Sequence, residues 1–150
     1  MLERLAATDA ASVKADDDLL YTEAVSLGYQ AITINVANGD RAQNPLGQDA
    51  RVRQALSLAI DRNVINQVVF EGAFAPGNQS FPPTSPWYNA DFPLPERDVE
   101  AAKALLAEAG HDRLEIEVQV TNNPVQMQMM QVVQAMASEA GFDLKLTAKE

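Results

Sequence analysis

At 150 residues, with 47% apolar and 21% charged residues, the chain has the composition of one globular domain with a real core. Its net charge of -10 and the scatter of its eleven Lys and Arg remove the basic face that nucleic acid or an anionic membrane surface requires. The absence of cysteine removes disulfides and thiol chemistry, and no run approaches the roughly 20 apolar residues of a membrane span.

Residues 1–18 carry few signals. The opening Met-Leu-Glu-Arg-Leu lacks the basic start and apolar centre of an export signal. Asp16-Asp17-Asp18 reads as a solvated loop rather than a cation site. Leu19–Val25 and Tyr29–Val36 are strand-like runs around Ser26-Leu27-Gly28, and they predict a β-hairpin near residues 19–36. Residues 37–48, with Gly39, Pro45 and Gly47, read as loop.

The clearest helix follows. Asp49 is a good N-cap, and Val52, Ala55, Leu56, Ala59 and Ile60 recur at i, i+3, i+4, i+7 and i+8 in a run to Arg62. Asn63 is expected to cap a shorter second helix, with Val64, Ile65, Val68 and Val69 inward and Gly72 as its stop. Residues 73–95 then hold Pro76, Pro82, Pro83, Pro86, Pro93 and Pro95 among five aromatic residues. So many prolines forbid helix and central strand and predict a long, extended loop.

Asp98 caps a predicted helix over Val99–Ala109, closed by Gly110. The last stretch is a β-α-β unit at residues 114–148. Leu114, Ile116, Val118 and Val120 alternate with polar residues, and Asn123-Pro124 opens a helix to Ala140 with Val125, Met129, Val132, Val133, Met136, Ala137 and Ala140 inward. After Gly141, Phe142, Leu144 and Leu146 alternate again. A strand, a helix and a strand so joined are expected to lie parallel through a right-handed crossover.

The run Asp49 to Arg62 resembles the signature D-x-R-V-R-Q-A-L-x-x-A-I-D-R of the family 5 extracellular solute-binding proteins, the peptide, oligopeptide and nickel receptors of ABC importers. Ile34-Asn35, Asn44-Pro45-Leu46, the loop from Gly72 to Trp87 and the helix ending Ala-Leu-Leu-Ala-Glu-Ala-Gly110 are similar to the same family. Val99 stands where that family usually has Pro, a change the helix tolerates. The resemblance implies an α/β chain, one lobe of a periplasmic-binding-protein-like II fold, with residues 1–150 a single lobe and a fragment of a longer two-lobed receptor. It implies a periplasmic or extracellular, membrane-associated parent, ABC permease subunits as partners, and a small, peptide-like solute held between lobes. It also implies that Phe81, Trp87 and Tyr88 line the solute cleft, with Asn35 near the lobe junction. The alternative, that Trp87 and Tyr88 plug the core, stays open.

No catalytic residue, metal ligand or cofactor site is assigned. His111 is alone, Cys/His ligand spacing is absent, and no nucleophile-elbow, dinucleotide or P-loop glycine pattern occurs. Two rival readings remain. A stand-alone α/β enzyme or signalling domain needs a nucleophilic or phosphorylatable group at a strand end, which Val120-Thr121-Asn122-Asn123 does not offer. An interaction module would use the proline and aromatic loop at 73–95 as its docking surface.

Overall fold

The computed structural model describes residues 5, 7–24 and 28–150. Along the chain run α1 (Ala7–Lys14), a 3-10 turn (Asp40–Ala42), α2 (Pro45–Gln48), α3 (Ala50–Leu58), α4 (Arg62–Phe70), α5 (Val99–Glu108), β1 (Leu114–Thr121), α6 (Pro124–Glu139) and β2 (Phe142–Lys149). The chain forms two compact units. Met1–Gln30 and Arg62–Leu94 make the first, and Ala31–Asp61 with Pro95–Glu150 make the second.

The second unit holds the sheet. β1 and β2 pair in parallel, in register from Leu114 opposite Phe142 to Thr121 opposite Lys149. Because side chains alternate across a strand, residues of even number on both strands share one face. Val120, Phe142 and Leu144 on that face are buried, and α6 covers the pair with Met130, Val133 and Ala137 buried on its inner side. Glu115, Glu117 and Lys145 take the opposite, exposed face. Beside this, α3 packs on α5, burying Val52, Ala55, Leu56, Ala102 and Leu106.

The expected helix boundaries follow from caps that are present as bonds. The Asp49 carboxylate accepts from Arg51 N, Asp98 from Ala101 N, and the Asn123 carboxamide from Val125 N and Gln126 N. Gly141 joins α6 to β2 at φ 93°, where a Cβ would sit 2.9 Å from the Asp112 carbonyl oxygen. Only glycine meets both conditions at once.

Elsewhere the structure departs from expectation. Of the hairpin expected near residues 19–36, residues 25–27, the end of the first arm and most of the turn, lie outside the described residues. The described residues of its arms, 19–24 and 29–36, belong to no strand, and Leu20 is 91% exposed. β-branched and aromatic residues fit a pleated, half-buried surface, and among the described residues these runs join no sheet to supply one. The long helix also divides. α3 stops at Leu58, and Asn63 lies inside α4 instead of ahead of it. Ile65 and Val69 are buried while Val64 and Val68 are exposed, since neighbouring helical positions point about 100° apart and one narrow stripe is covered. In α6 the buried methionine is Met130, with Met129, Val132 and Met136 half-buried and Val125 exposed. Residues 45–48, expected as loop, form a helical turn because Asn44 accepts from Gly47 N and Pro45 sits at the first position.

Candidate functional site

The proline and aromatic segment contains no helix or strand, as its composition requires. Proline contributes no N–H, so ladder bonds cannot hold it, and side-chain carboxamides take their place. Asn66 on α4 donates to the Phe74 carbonyl at 2.7 Å and accepts from Phe74 N at 3.1 Å. The Phe70 and Phe74 rings meet edge to face at 4.9 Å. Further on, Asn78 donates to the Pro93 carbonyl at 2.8 Å, and Gln79 both donates to the Asn89 carbonyl at 3.0 Å and accepts from Asn89 N at 2.9 Å. Short turns complete the loop, with Ser85 N donating to the Pro82 carbonyl and Tyr88 N to the Ser85 carbonyl.

These bonds shape an open hollow of about 400 Å³ within the first unit, lined by Tyr29, Ser80, Phe81, Pro82, Ser85, Pro86 and Trp87. Trp87 is 75% exposed, Tyr29 65% and Phe81 47%. The side chains of the lining are apolar save for three hydroxyl groups and the Trp87 indole N–H, and its volume falls in the range of small-molecule sites. Tyr29 is its only ionisable residue. Such a surface packs on apolar or aromatic groups and orients them by hydroxyl hydrogen bonds. It supplies no charge for acid, base or metal chemistry. Among the described residues no group of three His, Cys, Asp or Glu is placed to hold a metal ion.

Of the residues expected to line a cleft, the structure brings Phe81 and Trp87 together. Tyr88 follows them directly but is half-buried and outside the lining. Asn35 lies in the second unit, where its carboxamide donates to the Asn38 carbonyl and accepts from Asn38 N, both at 2.8 Å. That amide closes a local turn. Tyr29 was missed: it sits in a run with strand-like composition, and only the fold carries it to the hollow.

The signature residues around α3 serve the framework. The Arg51 guanidinium meets the Asp49 carboxylate through Nη2 at 2.6 Å and Nε at 3.1 Å, and donates from Nη1 to the Glu108 carbonyl at the end of α5 at 2.8 Å. Those hydrogen bonds, the side chain's first and the Arg51 N–H second, hold the Asp49 carboxyl at about 2. Arg53 donates to the Leu46 and Gly47 carbonyls of α2. Gly47 is packed so closely that a Cβ would overlap the Ala42 carbonyl oxygen and lie 2.8 Å from that of Asn35. Arg97 donates to the carbonyls of Ala59, after α3, and Met136, in the last turn of α6, and pairs with Glu139 at 3.2 Å.

Comparison with known proteins bears on the family and fold of the chain. Residues 1–150 match the model for bacterial extracellular solute-binding proteins, family 5, middle portion. The chain is 32% identical over 148 residues to the dipeptide-binding protein of Escherichia coli K12, covering 95% of this chain and 26% of that protein. It is 34% identical over 105 residues to heme-binding protein A of Haemophilus influenzae, covering 69% of this chain and 18% of that one. Among solved structures, an ABC transporter substrate-binding protein from Sinorhizobium meliloti superposes with a TM-score of 0.68 at 33% identity, over 75% of this chain and 26% of that chain. NikZ from Campylobacter jejuni, solved with Ni(L-His), shares the fold with a TM-score of 0.77 at 22% identity, over 97% of this chain and 31% of that chain. The chain thus spans about a quarter of the length of the curated dipeptide-binding relative. Among the described residues, no helix is long and apolar enough to cross a membrane.

Proposed function

The chain belongs to family 5 of the bacterial extracellular solute-binding proteins, and from that we propose that it forms part of the substrate-binding component of an ABC importer. Its parent captures a small, peptide-like solute outside the cytoplasmic membrane, in the periplasm or at the cell surface. It passes the solute to the permease subunits with no covalent bond made or broken, so the chain is not an enzyme. The observation that carries this reading is the family match over the whole of residues 1–150. The apolar hollow supports it, since Phe81, Trp87 and Tyr29 offer aromatic faces to a solute side chain without a charge that would demand a partner. Tyr88 and Asn35 stand as flanking candidates.

In this reading residues 1–150 are one part of a longer, two-lobed protein. Two lobes closing by a hinge share the contacts between them, and each alone supplies too few to hold a solute. Isothermal titration of this chain with a panel of di- and tripeptides therefore gives no micromolar binding, while the full-length parent binds members of the panel. Micromolar binding by the chain alone overturns the two-lobed reading. A parent that ignores every peptide and takes up a nickel complex or haem overturns the choice of solute.

The exposure of Phe74, Phe81, Trp87 and Phe92 favours a second reading, in which the loop docks on another protein. A Trp87→Ala parent that keeps its solute affinity but no longer drives import supports that reading over the first.

A further inference from the structure

We propose that Gln79 is a positioning residue for the aromatic hollow, one that sets the placement of Phe81 and Trp87 without lining the hollow itself. The proposal rests on the hollow being a solute contact and adds the residue that holds it in shape.

The argument starts from what the loop lacks. Between Gln79 and Asn89 the chain carries Pro82, Pro83 and Pro86, each without an N–H, so no ladder closes the base of this hoop. Prolines stiffen the hoop internally but leave the angle between its two ends undetermined. Gln79 supplies the missing closure. Its carboxamide has the donor and acceptor layout of a peptide group and meets the Asn89 backbone at both atoms, 3.0 Å from Nε2 to the carbonyl and 2.9 Å from the Asn89 N–H to Oε1. The same Nε2 reaches the Phe92 carbonyl at 3.3 Å, and the neighbouring Asn78 ties down the Pro93 carbonyl. Two successive carboxamides thus bind the returning arm of the loop. Phe81 lies two residues beyond one end of this clamp and Trp87 two residues before the other.

The core lies elsewhere, so a broken clamp loosens the loop while leaving most of the fold intact. Trp87 is the only tryptophan of the chain, which makes it a built-in reporter. Gln79→Met keeps the length of the side chain and removes both hydrogen-bonding groups. Gln79→Glu keeps the acceptor for Asn89 N–H and loses the donor. Time-resolved fluorescence anisotropy then reads the motion of the Trp87 ring, and far-UV circular dichroism reads the thermal unfolding midpoint.

The expected result is at least about a twofold larger fast depolarisation amplitude in Gln79→Met, an intermediate value in Gln79→Glu, and a nearly unchanged midpoint. In the full-length parent, affinity for the probe tripeptide Ala-Phe-Ala falls about tenfold in Gln79→Met. A Trp87 ring as rigid in Gln79→Met as in the native chain overturns the proposal, whatever the peptide does. A ring that loosens in this chain, alongside a parent with no native affinity for Ala-Phe-Ala, upholds the clamp and removes the solute reading instead. Should Gln79→Met fail to fold, Gln79→Glu decides alone: a looser ring supports the clamp, and a native one overturns it.

Discussion

The two units of this chain are held by different physics. In the second, apolar burial dominates: Phe142, Leu144, Leu106 and Val52 are almost wholly removed from water, and helix caps trim the ends. In the first, only Ile65 and Val69 are buried among the described apolar residues. Leu19, Leu20, Tyr29, Phe74, Phe81, Trp87 and Phe92 stay at the surface. What orders it is proline stiffness and carboxamide-to-backbone bonds. A scaffold buries its large side chains, whereas a binding surface keeps them exposed and must fix them by other means. The contrast separates a buried framework from an exposed aromatic surface within one chain.

That contrast breaks most easily at Phe142. Phe142→Ala removes a fully buried ring from the second unit and is expected to cost about 3–5 kcal/mol, read as a lower urea midpoint. A loss below about 1 kcal/mol refutes the assignment of the core to this face. Trp87→Ala removes a larger ring from the first unit and is expected to change stability by less than about 0.5 kcal/mol. If it destabilises the chain like Phe142→Ala, the two units do not differ as described.

The smallest effect tests the framework's electrostatics. The Asp49 carboxyl sits at about 2, below its ordinary 3.8, because the Arg51 guanidinium and N–H bind its charged form. The folded chain therefore holds that proton less tightly than the unfolded one. Its contribution is complete above the unfolded value and fades as pH falls toward about 2. Urea midpoints measured between pH 5 and pH 2 should fall more gently in Asp49→Asn than in the native chain. Parallel curves would remove Asp49 as a source of acid sensitivity.

Much of the second unit was legible because local and tertiary signals coincide there. Asp98, Asn123, Gly110 and Gly141 mark ends that packing also requires, and the alternation over 114–120 and 142–146 names the buried face directly. The break after Leu58 was not legible, because the apolar stripe runs on through Ala59 and Ile60, which are themselves buried. Strand-like composition at 19–25 and 29–36 misled for the opposite reason: propensity describes a surface that only a partner provides. Within the candidate site, the prolines announced an irregular loop, and its aromatics drew notice as a group. The grouping of Tyr29 with Trp87, and the Gln79 pairing with Asn89, have no period and no spacing rule. They are made by the chain returning on itself.

The parallel pairing of β1 with β2 has a consequence for the chain as it is being made. Twenty residues separate Thr121 from Phe142, so at roughly 5–20 residues per second β1 leaves the ribosome about one to four seconds before its partner exists. Throughout that interval its edge is open to any passing strand. Glu115 and Glu117 stand on its exposed face, and charges so placed disfavour strand pairing between neighbouring copies.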